Sequence, residues 1–275
     1  MRHRSWTTVL FLFVLAPAAQ AQYRGPRSAD YLLRTAAWGP RALWVDPGGL
    51  GTVHEASLMA ELMVERSASG DYPIAQYTLG LSSRGFGFGF RRDRFPDDSA
   101  AGNTWRFGFG RAAGPLGFGA AVSLYSGASR KEDVDLGVRF RLAPALELAG
   151  GVEHIGQPVV RDSSLRFGGW LGLGLTTFGG ALQMGADVHA SDRGDAAGVL
   201  MAYRAGLRVQ LRGKLPIGAL AVLDLDNDFK IARLVAGLSV GLSYQGVLVG
   251  SGARRAGATR IETLSVTGIA TRLFP

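Results

Sequence analysis

The chain has 275 residues, no cysteine, 40 glycines, 19% charged residues and a formal charge of +8. At 47% hydrophobic residues it is not a disordered polar chain. Without cysteine there is no disulfide scaffold, no thiolate zinc site and no lipidated N-terminal cysteine.

The first element is an export signal over residues 1–21. Arg2, His3 and Arg4 form a positive start, Val9 to Ala16 an apolar stretch, and Ala19-Gln20-Ala21 a small-x-small cleavage site. Its removal takes two arginines and no acid, lowering the charge from +8 to +6. An exported basic protein meets anionic outer-membrane lipid and lipopolysaccharide more readily than nucleic acid, and no nucleic-acid role is expected.

Residues 22–56 do not alternate. Ser28 is placed to cap a short helix running toward Arg34. Next comes Trp44-Val45-Asp46-Pro47-Gly48-Gly49-Leu50. Here proline fixes φ, glycine permits positive φ, and aspartate accepts nearby backbone amides, so a tight turn is expected.

From Ser57 onward the pattern has period two, the signature of strands with one apolar face. Leu58, Ala60, Leu62 and Val64 share a face. Phe86, Phe88 and Phe90 follow, with Gly85, Gly87 and Gly89 opposite, and Trp105, Phe107 and Phe109 repeat the arrangement. Val134, Leu136, Val138 and Phe140 oppose Asp133, Asp135, Gly137 and Arg139. Leu165, Phe167, Leu171 and Leu173 read as one further stripe. About 14 such segments of about 8–13 residues suit tilted strands that cross a bilayer, which need about 9–11. Strands of a soluble sandwich are shorter, about 5–6 residues. Backbone groups in lipid must be satisfied within the sheet, so the sheet must close. The expected fold is all-β: a closed antiparallel transmembrane β-barrel of about 14 strands over residues 57–275, with residues 22–56 as an N-terminal plug-like segment.

The connections tend to alternate in length, and the alternation fades near Asp226-Asn227-Asp228, where a connection expected to be external is short. Glu65 to Pro73, Asp93 to Asn103, Gly156 to Ser164 and Ser191 to Gly198 read as long, and Ser82-Ser83, Ala143-Pro144 and Thr177 to Gly179 as short. In membrane barrels the short turns are periplasmic, which puts both termini in the periplasm. Leu264 to Phe274 reads as the last strand, with Phe274 as the aromatic that the outer-membrane insertion machinery would read.

The stretch from Trp44 to Leu50, together with the order signal, plug-like segment, strands, resembles the outer-membrane barrels related to FadL and PorV. Those families carry an aromatic residue followed by Asn-Pro-Ala-Gly-Leu shortly before the first strand. This chain has Asp46 and Gly48 where the family has Asn and Ala. The resemblance implies an N-terminal hatch inside the barrel, with Trp44, Asp46, Pro47 and Gly48 as hatch or ligand-binding residues. It also implies passive passage or binding of small hydrophobic molecules across the outer membrane, without cofactor, metal or enzymatic chemistry. The alternative that it carries is a non-conducting PorV-like scaffold or secretion accessory.

The inward faces carry Arg139, Arg141, Arg204, Arg208, Asp187 and His189 as lumen-facing polar residues, which either pair across strands or form a polar path. Asp187, His189 and Ser191 share a face, but residues two apart on a strand lie about 6–7 Å apart, which disfavours a hydrolytic triad. Asp224 and Asp226 read as a solvated rim, and no phosphate-binding loop is present.

Overall fold

The computed structural model describes residues 33–95, 98–126, 132–160, 163–192, 198–211, 213, 215–243 and 246–272. The expected signal, Ser28, Phe274 and the end of the last strand lie outside these residues. The described chain begins with a single 3-10 turn, Arg34–Ala36. A six-residue helix follows, α1 (Pro40–Val45), and then a 3-10 turn at Pro47–Thr52. Proline at the first helical position and Gly39 at φ +60° start α1. The helix was not evident from periodicity, being too short to show one.

Fourteen strands form one closed antiparallel barrel. They are β1 (Ala56–Glu65), β2 (Ile74–Ser83), β3 (Phe86–Phe95), β4 (Asp98–Ala113), β5 (Leu116–Tyr125), β6 (Glu132–Ala143), β7 (Leu146–Glu153), β10 (Gly168–Thr177), β11 (Leu182–Asp192), β12 (Val199–Leu211), β13 (Ile217–Leu225), β14 (Ile231–Ser243), β15 (Gly246–Arg255) and β16 (Thr263–Arg272). Between β7 and β10, β8 (Val159–Val160) and β9 (Ser163–Ser164) make a separate small hairpin. Consecutive barrel strands pair with one another, and β1 closes on β16 from Ala56 opposite Arg272 to Glu65 opposite Thr263.

The alternation sets the two faces. In β1, Ser57, Met59, Glu61 and Met63 are buried while Leu58, Ala60 and Leu62 are exposed. In β6, Asp133, Asp135, Gly137 and Arg139 are buried and Leu136, Val138 and Phe140 exposed. Leu171, Leu173, Leu207, Val209, Leu234 and Leu238 continue this outward apolar surface around the wall. In water such a surface would be a large liability; in a bilayer it is the solvated face. Among the described residues no helix is long and apolar enough to cross a membrane, and the crossing is made by strands.

Three expectations need correction. The stripe containing Leu165 and Phe167 is not one strand, because β10 begins only at Gly168 and Leu165 is buried before it. The long connection expected from Asp93 to Asn103 is largely strand: β3 and β4 continue past the level of their neighbours and pair as far as Phe95 opposite Asp98. Polar residues there read as loop, but an antiparallel pair standing beyond the bilayer has no need of apolar alternation. The short connections are present but lie later than expected: Ser82 and Ser83 end β2 and Ala143 ends β6, so the turns are made by Arg84-Gly85 and Pro144-Ala145. Arg84 (φ +49°) and Gly85 (φ +85°) both take positive φ, the two-residue turn whose twist suits a hairpin.

Candidate functional site: the lumen and the segment inside it

Residues 33–52 pack against inward-facing residues of the wall. Pro40 to Trp44 and Pro47 to Gly51 are all buried. The seat for this segment is made of glycine. A Cβ at Gly89 would lie 2.5 Å from the Trp44 ring, one at Gly108 2.6 Å from Leu43, and one at Gly110 2.6 Å from the Gly51 nitrogen. At Gly119 it would overlap the Pro47 carbonyl, and at Gly137 the Asp46 carboxylate. The Phe-Gly alternation of β3 and β4 therefore has two jobs. Glycine faces inward and lets the segment approach the backbone. The aromatics face outward and pair across the strands, Phe86 with Phe109 (5.2 Å), Phe88 with Phe107 (5.2 Å) and Phe90 with Trp105 (4.5 Å).

Charges fasten the segment. The fully buried Asp46 accepts from the Gly48 amide (3.0 Å) and pairs with Arg139 Nε (2.5 Å). Burial pushes the Asp46 carboxyl up, with Arg139 pulling the other way and failing to cancel it. Arg139 also donates to the Thr35 carbonyl (3.0 Å), to Glu147 (3.2 Å), and to the carbonyls of Arg34 and Ala37. One guanidinium thus gathers three backbone carbonyls and two carboxylates. Arg106 donates to the Leu43 carbonyl (2.5 Å) and pairs with Asp135. With Arg91, it also flanks the Trp44 ring (5.9 Å and 5.3 Å). Arg34 reaches the other way. Its guanidinium pairs with Glu153 (2.9 Å) and its amide donates to Asp187 (3.0 Å).

The wall is not uniform. On β13, β14 and β15 the inward residues include Leu220, Val222, Val235, Val249 and Ala253, which form an apolar cluster with Leu33. Beside it, a cavity of about 230 Å³ lies at the short-turn end, lined by residues that include Leu33, Ala36, Arg141, Glu147 and Gln183.

Trp44, Asp46, Pro47 and Gly48 are therefore buried together against β3 to β6. Arg139 and Asp187 touch the same segment, while Arg141 lines the cavity. Arg204 binds Asp224 in a fork (2.6 and 3.1 Å), and Arg233 joins it (2.9 Å). Arg208 lies opposite Gln183 and Leu220 in the sheet register. His189 bonds to Glu153 (2.7 Å), and Asp187 to Arg34, so these two residues are drawn to different partners. Asp226 accepts the amides of Asp228 and Lys230 within its own turn. Asp133, Asp135 and His154 bring three donor atoms within 4.8 Å of one another, a group able to hold a metal ion. Sequence reasoning missed Arg34, Arg106, Leu33 and the apolar inward wall. Parity gives the face of a residue but not what it meets across the barrel.

No protein-family model matches the chain, and no curated protein matches it. Solved structures do. The toluene transporter TbuX of Ralstonia pickettii superposes with a TM-score of 0.61 at 11% identity, over 92% of this chain and 98% of that one. The CymD monoaromatic hydrocarbon channel gives 0.60 at 11%, over 90% and 96%. The toluene transporter TodX of Pseudomonas putida gives 0.58 at 10%, over 87% and 94%. At these identities the likeness is one of fold. The chain has the architecture of an outer-membrane barrel.

Proposed function

We propose that the protein is an outer-membrane barrel, related in design to the FadL-type transporters, that passes small hydrophobic molecules. Residues 22–56 serve as its hatch. The observation that carries this reading is the divided lumen. Charged groups of β4, β6, β7 and β11 hold the hatch, while β13 to β15 offer an apolar wall on the other side. Val222, Val235 and Val249 are already covered in the cluster with Leu33, so a small apolar solute enters by taking the place of Leu33, and its own burial gains about 25 cal/mol per Å² removed from water. Passage needs no covalent step. The solute moves along this wall past Leu33 to the cavity at the inner mouth, and Asp46 and Arg139 set how readily the hatch shifts. Folds of this kind in TbuX and TodX belong to proteins described as toluene transporters, which supports the substrate class.

The test is uptake of toluene by cells with and without the protein, and by cells carrying Val235→Asp. Uptake should rise with the wild-type protein and fall to the background with Val235→Asp. Equal uptake in all three, with silence in planar bilayers and co-purification of a large partner, would instead support the non-conducting accessory role.

A further inference from the structure

Near the ends of β7 and β11 that lead to the long connections, two imidazoles converge on one carboxylate oxygen. His189 Nε2 lies 2.7 Å from Glu153 Oε1, and His154 Nε2 lies 4.0 Å from the same atom. The other face of His154 is already engaged, its Nδ1 meeting Asp133 Oδ2 at 2.6 Å. Asp133 is fully buried and also receives the Tyr125 hydroxyl at 3.3 Å. A buried carboxylate on Nδ1 fixes the tautomer of an imidazole and leaves Nε2 with its lone pair free, the outer-shell arrangement of metal-binding histidines. Glu153 is likewise divided. Arg34 holds Oε2 at 2.9 Å, which leaves Oε1 for the two rings. Space is provided as well. Gly168 lies opposite Glu153 in the sheet, and a Cβ there would sit 2.9 Å from His189 Nε2.

We propose that His154 Nε2, His189 Nε2 and Glu153 Oε1 form a binding site for a divalent transition-metal ion, zinc above all, with Asp133 orienting His154. Bonds of about 2.0–2.2 Å to a tetrahedral ion set its donor atoms about 3.3–3.6 Å apart. The two distances of 2.7 and 4.0 Å straddle that range. The three donor atoms do not all lie within 4.8 Å of one another, so the two rings must turn toward each other to close the site, and water completes the fourth position. Two nitrogens and one oxygen suit zinc, copper or nickel better than calcium or magnesium, which take oxygen donors. Charge points the same way. Three carboxylates, Asp133, Asp135 and Glu153, are met by the two guanidiniums of Arg106 and Arg34, so the group keeps an excess of negative charge that attracts a cation. The ion displaces the proton now shared by His189 and Glu153. All three donor side chains remain partly exposed, so an ion can enter from the lumen. The site does not depend on what the barrel passes.

The test uses the full mature chain in detergent, with the barrel fold of each variant checked by heat-modifiable migration. Wild type should bind about one equivalent of Co²⁺, with the intense visible bands of four-coordination, and release it to Zn²⁺. His154→Gln and His189→Gln should each weaken binding by about 100-fold or more, and Asp133→Asn by about 10-fold. A second readout needs no variant. Zn²⁺ should protect His154 and His189, but not the exposed His54, from acylation followed by mass spectrometry. Folded wild type that binds neither ion in stoichiometric amount overturns the site. So does binding that survives His189→Gln, or equal acylation of His154 and His189 with and without Zn²⁺.

Discussion

Asp46 and Arg139 form the contact on which the inner segment depends most. Both are buried, and each also serves backbone groups, Asp46 the Gly48 amide and Arg139 three carbonyls. Removing one partner of a buried pair costs about 3–5 kcal/mol, because the other charge is left without compensation. Asp46→Ala is therefore expected to loosen residues 34–46. The chain has no cysteine, so Ala37→Cys gives a label site without background. It should react with a maleimide at least about tenfold faster in the Asp46→Ala background than alone. Glycine is the second test at this scale. Gly108→Val drives a side chain into Leu43 and Leu50, where a Cβ alone would already lie within 2.6–2.7 Å. It should destabilise the barrel by about 1–3 kcal/mol, as overpacking does. Gly250→Ala meets nothing within 4 Å and should stay within about 0.5 kcal/mol of wild type. Urea-induced unfolding in lipid vesicles separates the two. At this scale the sequence was half legible. Turn chemistry singled out Asp46 and strand parity put Arg139 inward. That the two meet follows from the path of the chain inside the barrel, which no local pattern encodes.

At the scale of elements, strand existence was the most legible feature, because period two holds wherever one face meets lipid. It fails where both faces are apolar. β13 reads Ile-Gly-Ala-Leu-Ala-Val-Leu, and its Leu220 and Val222 point into the lumen while Ile217 points out. Without alternation the inner wall could not be told from the outer one. It also fails beyond the bilayer, where β3 and β4 pair through Arg92 and Asn103 without an apolar stripe. The lipid-facing assignment has a direct check. Leu173 lies in the middle of β10, 46% exposed and paired with Leu148 and Ala186. Leu173→Arg should cost about 2–4 kcal/mol in vesicles, the expected penalty for a cation near the midplane. Gln183→Arg, inward on the neighbouring strand and lining the cavity, should cost less than about 1 kcal/mol. A reversal of that order would mean that the two faces are exchanged.

For the whole molecule, closure is what makes the apolar exterior tolerable. A heat-modifiable band that partitions with outer membrane is the expected behaviour, and release in plain buffer would contradict it. Closure also orders the assembly. The last pairing to form in a sheet joined strand by strand is that of β1 with β16, ten residues long. The residues that fill the lumen lie immediately before β1 in the chain. Once the seam has zipped, they have no route inward except by threading through an end. They must already be folded against the glycines of β3 to β6 while the cylinder is still a curved sheet, so the insert acts as a mandrel around which the wall is wrapped.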